Sequence, residues 1–401
     1  METAVEAAGR DAGTAATAAA RVALVGVHGF GTHHVRNLER LQSAGTVELV
    51  AVADPQPPAP GGVPPSAAVY PGLDDLLEAT PDLDVIIVAT PIQTHAPLAL
   101  AALNTEAELY LEKPPVASLA DFNRLADAAG QSGHGVQIGF QSLGSHALTA
   151  IEQLLAAGTI GTLEGISATG RWVRDRAYFK RSRWAGKRSI NGVDVVDGVA
   201  TNPLAHAVAT ALRIAGARTT ADVAFVETEL YRANDIESDD TSVIRIRTAT
   251  GLPITCALTI CAPESVEPYV TLQGSAGTAV FHYTEDRLTV ETADGRTEET
   301  YGRDDLTENL LAHRRNGSPL ISSLLDSGAF MLVLEAVRTA PLPAPIDPAH
   351  VRWEGDGDAG HAVVDGIEEV LERAGRQHAT FSELGLPWAA AAPTTFRFPA
   401  S

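Results

Sequence analysis

The 401 residues read as an α/β protein in two parts. A doubly wound parallel-sheet domain is predicted over 21–141. An α+β domain on a large, mostly antiparallel open sheet is predicted over 142–401. Three observations carry this. Short apolar runs alternate with helical patterns up to about residue 140. Strand-like runs then dominate from 162 to 300. A glycine cluster joins the first apolar run to the first helical pattern.

In order, RVALVGV (21–27) predicts a buried parallel strand. Residues 32–44 carry Val35, Leu38 and Leu41 at helical spacing. VELVAVAD (47–54) reads as a second strand, PQPPAPGGVPP (55–65) as an irregular loop and LDDLLEA (73–79) as a helix. LDVIIVATP (83–91) is a third strand, with a helix from His95 to Asn104. AELYLEKPP (107–115) is a fourth strand stopped by prolines, and 119–133 and 134–140 give a helix and a fifth strand. Residues 145–157 are helical. Seven strand-like runs follow between 162 and 300, interrupted by a long helix over 202–215. Helix returns at 319–339 and 362–376.

Composition excludes several classes. Apolar residues make up 45% and charged residues 20%, so a chain of this length builds a core without disulfides. The net charge of −21 repels phosphate backbones and anionic lipid, which argues against nucleic acid or a membrane as partner. Cys256 and Cys261 share one apolar run and read as buried thiols on opposite faces of a single strand, in a reduced cytoplasmic protein without a metal site. No apolar stretch is long enough to span a bilayer. Residues 1–20 lack the basic and leucine-rich regions of a signal peptide and read as a disordered extension.

Gly26-Val27-His28-Gly29-Phe30-Gly31 lies where a dinucleotide-binding fold needs glycines. The first permits the tight turn, the second lets backbone approach pyrophosphate, and the third lets helix and strand pack closely. Here Gly26 and Gly31 fit the first and third positions, His28 occupies the second, and Gly29 beside it supplies the freedom. The following helix N-terminus faces phosphate with free N–H groups. Asp54, 23 residues after Gly31, is placed to accept from ribose hydroxyls and to repel a 2′-phosphate, which favours NAD while leaving NADP open.

Ligands in open parallel sheets bind beyond the carboxyl ends of the strands. Two such ends carry polar residues in tight settings: Thr90-Pro91 with His95, and Glu112-Lys113 before two prolines. A lysine there can donate to a substrate hydroxyl or have its pKa lowered toward a catalytic value. With DVIIVATPIQTH (84–95), LEKPP (111–115), the N-terminal turn and the helix near 206, the sequence resembles the Gfo/Idh/MocA oxidoreductases over about residues 21–340. The resemblance implies a Rossmann domain and an α/β domain that assembles as a homodimer or homotetramer. It also implies NAD(P)-dependent oxidation of a secondary alcohol on a sugar, glycoside or cyclitol, with Lys113 as the catalytic lysine.

Asn202-Pro203 is expected to cap the long helix, with His206 four residues on along the same face. In the family an aspartate and a histidine stand in this relation and the histidine works with the lysine. Asn202 replaces the aspartate here, and Asp197 is a candidate substitute acid. Gly170 to Arg188 holds eight Lys/Arg and four aromatics. This stretch is expected to close over a sugar, with Tyr178, Arg181, Trp184 and Lys187 nearest. His206 is then the general base and Lys113 the polarising group, with Thr90, Pro91, His95 and Glu112 beside the cofactor. The competing readings are a redox-cycling glycosidase or epimerase with bound NAD, and a nucleotide-binding regulator without catalysis.

Overall fold

The computed structural model describes residues 18–389 and 394–397, so the expected N-terminal extension lies almost wholly outside the described residues. The chain divides into two compact units, Met1–Asp84 and Val85–Ser401.

The first unit is a half of a doubly wound fold. It comprises β1 (Ala20–Val25), α1 (Gly31–Ser43), β2 (Val47–Ala53), β3 (Ala68–Tyr70) and α2 (Leu73–Ala79). β1 pairs in parallel with β2, and β2 with β3. The β1 interior is apolar and buried from Val22 to Val25, and α1 turns His34, Val35, Leu38 and Leu41 inward. β3 follows the proline-rich loop and was not legible as a strand. Its three residues, Ala68-Val69-Tyr70, are too short to establish a period.

The second unit opens with the complementary set: β4 (Val85–Val88), α3 (His95–Ala102), β5 (Glu108–Leu111), α4 (Leu119–Ser132) and β6 (Val136–Ile138). β4, β5 and β6 are parallel and buried throughout; β4 is the unbroken run Val-Ile-Ile-Val, while β5 and β6 also bury Glu108, Tyr110 and Gln137. Ser118 caps α4, its Oγ accepting from the Asp121 N–H at 3.1 Å.

After α5 (Ala147–Ala156) come β7 (Leu163–Val173), α6 (Arg176–Lys180), the short hairpin β8 (Ser189–Ile190) and β9 (Val193–Asp194), and α7 (Ala205–Ile214). The sheet continues through β10 (Val223–Arg232), β11 (Thr241–Thr248), β12 (Pro253–Thr259), β13 (Cys261–Gly274), β14 (Gly277–His282), β15 (Arg287–Thr292) and β16 (Gly295–Thr300). The C-terminal part holds α8 (Leu306–Asn316), α9 (Gly328–Thr339), β17 (Ala344–Pro345), β18 (Val351–Glu354), β19 (His361–Val364), α10 (Ile367–Gln377) and β20 (Thr394–Arg397).

Ten strands form one open sheet in the order β16-β15-β14-β13-β7-β12-β11-β10-β17, with β20 also on β10. All its pairings are antiparallel except β7–β12 and β10–β17. β7 is its centre and is covered on both faces. A side chain at Gly170 would strike Leu204, just before α7, while one at Gly375 of α10 would meet Ser167. Residues 167 and 170 differ in parity along the strand and face opposite ways. At the central strands α10 of the same chain covers the face opposite Leu204.

Four expectations are corrected. Cys256 and Cys261 lie on different strands, β12 and β13, because the run breaks at Ile260; both are free and buried. Residues 361–364 are a strand paired with β18, and the helix begins only after Gly366 in a left-handed conformation (φ +67°). Residues 319–327 form turns that serve the β6 edge, so that helix starts at Gly328. The long helix starts at Ala205, its N-cap position is Leu204, and Asn202 is not a cap. No helix of the described residues is long and apolar enough to cross a membrane.

Candidate active site

In the first unit the Gly26–Gly31 turn runs from β1 into α1. Gly29 has φ +56°, a conformation that favours glycine. At Gly31 a Cβ would lie 2.1 Å from the Gly26 carbonyl oxygen, so no other residue fits the close approach. α1 has no side-chain cap and no acidic residue in its first turn, which leaves its N-terminus electropositive. The Asp54 carboxylate accepts from the Val27 N–H (3.0 Å) and the Gln56 N–H (2.9 Å), tying the turn to the end of β2. The His28 ring turns aside, its Nε2 3.0 Å from the Gln56 carbonyl oxygen. Phe30 is exposed with its ring against His33. A bare helix N-terminus, a side-chain-free approach at Gly31 and a carboxylate at the next strand end fit a dinucleotide's pyrophosphate and ribose.

In the second unit, β4 and β5 end side by side and deliver Thr90–Pro91 and Glu112–Lys113. The Thr94 hydroxyl lies 2.7 Å from both the Thr90 hydroxyl and the Pro91 carbonyl oxygen. His95 is fully buried. Its Nδ1 lies 2.9 Å and 3.1 Å from the Pro114 and Pro115 carbonyl oxygens, and its Nε2 2.8 Å from that of Thr90. The imidazole clamps the two strand ends together, so both its nitrogens are engaged by backbone. The buried Glu112 carboxylate accepts from the Lys113 N–H (3.1 Å) and from Gln141 Nε2 (3.2 Å).

Lys113 Nζ donates to Asn202 Oδ1 (3.0 Å) and to the Asn202 carbonyl oxygen (3.1 Å). Asn202 Nδ2 in turn donates to Asp197 Oδ1 (2.6 Å). The Gly186 N–H holds the other Asp197 oxygen at 2.7 Å. The amide therefore stands between a lysine and a carboxylate displaced five residues back. Burial lowers the Lys113 pKa, with Glu112 and Asp197 opposing and Arg181 adding to the fall. Burial raises that of Asp197 against these same donors. Two of the three ammonium N–H groups are engaged by Asn202, which leaves one for a substrate oxygen.

His206 is the second residue of α7, not one turn inside it. Its Nδ1 lies 3.2 Å from Ser142 Oγ, which also accepts from the Thr210 hydroxyl at 3.0 Å. Its ring meets Phe140 edge-on, with 5.7 Å between centroids. Burial, then the charges of Lys113 and Arg303, push its pKa down to about 3, so the imidazole is neutral at ordinary pH.

Beside Asp197, guanidinium and aromatic planes alternate. Arg174 sits over Trp172 (4.8 Å to the ring centre) and Tyr178 (4.9 Å); Arg181 sits over Tyr178 (3.5 Å) and Trp184 (4.6 Å). Tyr178, Arg181 and Trp184 are thus brought together. Lys187 pairs instead with Glu237 at 2.8 Å on the surface.

Sequence reading did not single out Ser142, Gln141, Trp172 or Arg174. Ser142 and Gln141 follow a parallel strand end, the one signal that could have found them. Asp197 and Asn202 were each weighed but not their pairing; no sequence pattern announces an amide relay between 113 and 197.

Two family models match. One, described as an oxidoreductase family with an NAD-binding Rossmann fold, covers residues 20–140; the other, a GFO/IDH/MocA C-terminal domain, covers 148–280. An inositol 2-dehydrogenase of Rubrobacter xylanophilus is 33% identical over 144 residues, 35% of this chain and 40% of that protein. A dTDP-3,4-didehydro-2,6-dideoxy-alpha-D-glucose 3-reductase of Streptomyces violaceoruber is 34% identical over 102 residues, 25% of this chain and 30% of that one. These matches span less than half of either relative. The solved WlbA dehydrogenase of Bordetella pertussis, in complex with NADH and UDP-GlcNAcA, shares the fold with a TM-score of 0.65 at 20% identity, over 82% of this chain and all of that one.

Proposed function

Because the chain belongs to the Gfo/Idh/MocA oxidoreductase family, we propose that it is an NAD-dependent dehydrogenase oxidising a secondary alcohol of a sugar, glycoside or cyclitol. The observation that carries this reading is the Lys113–Asn202–Asp197 chain in the same unit as a buried, neutral His206.

Gly26, Gly29, Gly31 and the α1 N-terminus would hold the pyrophosphate, and Asp54 the ribose hydroxyls. When bound, the nicotinamide dinucleotide supplies hydride acceptance. The chain's own groups manage the proton. Lys113 directs its remaining N–H at the reacting oxygen, and Asn202 fixes the ammonium by taking its other two donors. For His206 to take the hydroxyl proton at Nε2, its Nδ1–H must point to Ser142 Oγ. The Thr210 hydroxyl already donates to that oxygen, which is free to accept a second bond. Desolvation keeps the imidazole unprotonated and so able to accept a proton, though as a weaker base than a hydrated histidine.

The test is a screen of neutral and acidic sugars, glycosides and inositols followed by NADH absorbance, run beside His206→Ala and Lys113→Ala. The reading predicts turnover by the wild type and loss in both variants. Tight NAD binding with no turnover of any polyol by the wild type would overturn it.

A further inference from the structure

The stretch 170–188 holds eight cationic side chains in a chain of net charge −21, and the structure shows where most of them go. Arg171 pairs with Glu368, Lys180 with Asp358 and Lys187 with Glu237. Arg176 lies over Trp353 and donates to the Gly357 carbonyl oxygen. Arg188 donates to the last carbonyls of α9. Arg183 is exposed. Arg174 and Arg181 remain, and these two share the Tyr178 ring.

Neither is neutralised by a close carboxylate. Arg174 has no ion pair among the described residues, only its bond to the Val173 carbonyl oxygen and the two rings. Arg181 reaches Asp197 at 3.8 Å, longer than a hydrogen bond, and that carboxylate already serves Gly186 and Asn202. One Arg181 nitrogen donates to the Tyr178 carbonyl oxygen at 2.7 Å. Its guanidinium carbon lies 3.5 Å from the Tyr178 ring centre and 4.6 Å from that of Trp184, so the rings occupy stacking surface and the N–H edge is the polar part left for a ligand. The Arg181 side chain keeps 29% of its surface open to solvent. Its field is felt at Lys113. The charges acting on the Tyr178 hydroxyl are those of Arg174 and Arg181 against that of Asp197, one positive charge in excess.

We propose that the edge of Arg181 is a subsite for a carboxylate carried by the substrate, so that the enzyme oxidises sugar acids in preference to neutral sugars. This rests on the dehydrogenase reading of the same site. A planar monoanion matches both an edge-presented guanidinium fork and a single surplus charge. A phosphate dianion overmatches the charge. The stacked rings hold the fork in place before binding and lower the ordering cost.

The experiment compares kcat/KM with NAD for D-glucuronate, D-galacturonate and D-gluconate, each against its neutral parent, with glucose 6-phosphate as the dianion. It uses wild type, Arg181→Gln and Arg181→Lys, each confirmed as folded by circular dichroism. Calorimetric titration of the NAD-loaded protein with each acid gives a readout independent of turnover. At least one acid is expected to exceed its neutral parent by about ten- to a hundred-fold, the scale of a charge-assisted hydrogen-bonded pair. That ratio should fall about tenfold or more in Arg181→Gln and partly in Arg181→Lys, which keeps charge but not the fork. Equal use of acids and neutral parents, a preference that survives Arg181→Gln, or stronger use of the phosphate would overturn the subsite. If no polyol is turned over, the dehydrogenase reading falls. Binding of an acid that is lost in Arg181→Gln then still supports the subsite, and absence of binding overturns it.

Discussion

At the residue scale, the proposed proton chemistry rests on the environments of His206 and Asn202. An imidazole with a pKa near 3 in the folded chain and about 6.5 in the unfolded one takes no proton while folded as pH falls through 6.5. The unfolded chain does, so this group's contribution to stability is lost progressively from about pH 6.5 toward 3. The His206 ring resonances in NMR are therefore expected to stay constant from pH 5 to pH 8, and an inflection near 6.5 would show a hydrated ring. His206→Ala should lower kcat by about 100-fold or more, the scale of general-base catalysis, with little change in NAD affinity. Asn202→Asp is a sharper probe. It sets a carboxyl against that of Asp197, where the amide nitrogen now lies at 2.6 Å. Two carboxylates this close hold one proton between them. Only the protonated pair reproduces the amide's donor, so Asn202→Asp should work at low pH and lose activity as pH rises through the pair's raised pKa. A pH profile parallel to that of wild type would refute the relay.

At the scale of elements, the glycine turn and the C-terminus of α9 each depend on one residue. A methyl at Gly31 meets backbone, which cannot yield as a side chain can. Gly31→Ala should abolish measurable NAD binding, whereas His28→Gly should leave it nearly unchanged, because the His28 ring is turned to Gln56. Equilibrium titration of NAD separates the two. Arg188 donates to the carbonyls of Val337, Arg338, Ala340 and, at 3.4 Å, Pro341. It supplies donors and positive charge to a helix end whose own last-turn cation, Arg338, is paired with Glu335 and Asp194. Arg188→Met should cost about 1.5–3 kcal/mol, read as a lowered denaturant midpoint. Elements of this kind divide by what the sequence discloses. Alternation of buried runs and helices made β1 through β6 legible apart from β3, and glycines located the turn. Lys113 and His206 were legible as candidates because a strand end and a family pattern mark them. The start of α7 was misplaced because Asn-Pro has the chemistry of a cap, and only tertiary partners draw the Asn202 side chain away to Lys113 and Asp197. Pairings such as Arg188 with α9, 149 or more residues apart, have no local signature.

For the molecule as a whole, its two thiols report on opening. Cys256 and Cys261 are fully buried, with burial pushing the first up to about 12 and raising the second well above its ordinary value. Thiolate is the reactive form, so alkylation should require unfolding of the ten-stranded sheet. Labelling by an excess of a thiol reagent is expected to follow the global unfolding curve, with both cysteines modified together. Early labelling of one alone would reveal a separately opening part of the sheet.

The outer edge of β6 carries a consequence for how the chain is made. Ile138 donates its N–H to the Ser322 carbonyl and Leu324 donates to that of Val136. The buried Gln137 amide holds the same segment, accepting from the Ser322 N–H and donating to Asn309 Oδ1 and the Leu306 carbonyl oxygen. On the ribosome, β6 emerges some 185 residues before its cover. During that interval a nascent chain presents a bare strand edge of Val-Gln-Ile, the kind that pairs with any neighbour. Release short of residue 324 leaves that edge open for good, so C-terminally truncated forms should cluster through β6. The last quarter of the polypeptide is thereby a guard on a strand just past its first third, and release of the full chain is what renders the parallel sheet safe from its own copies.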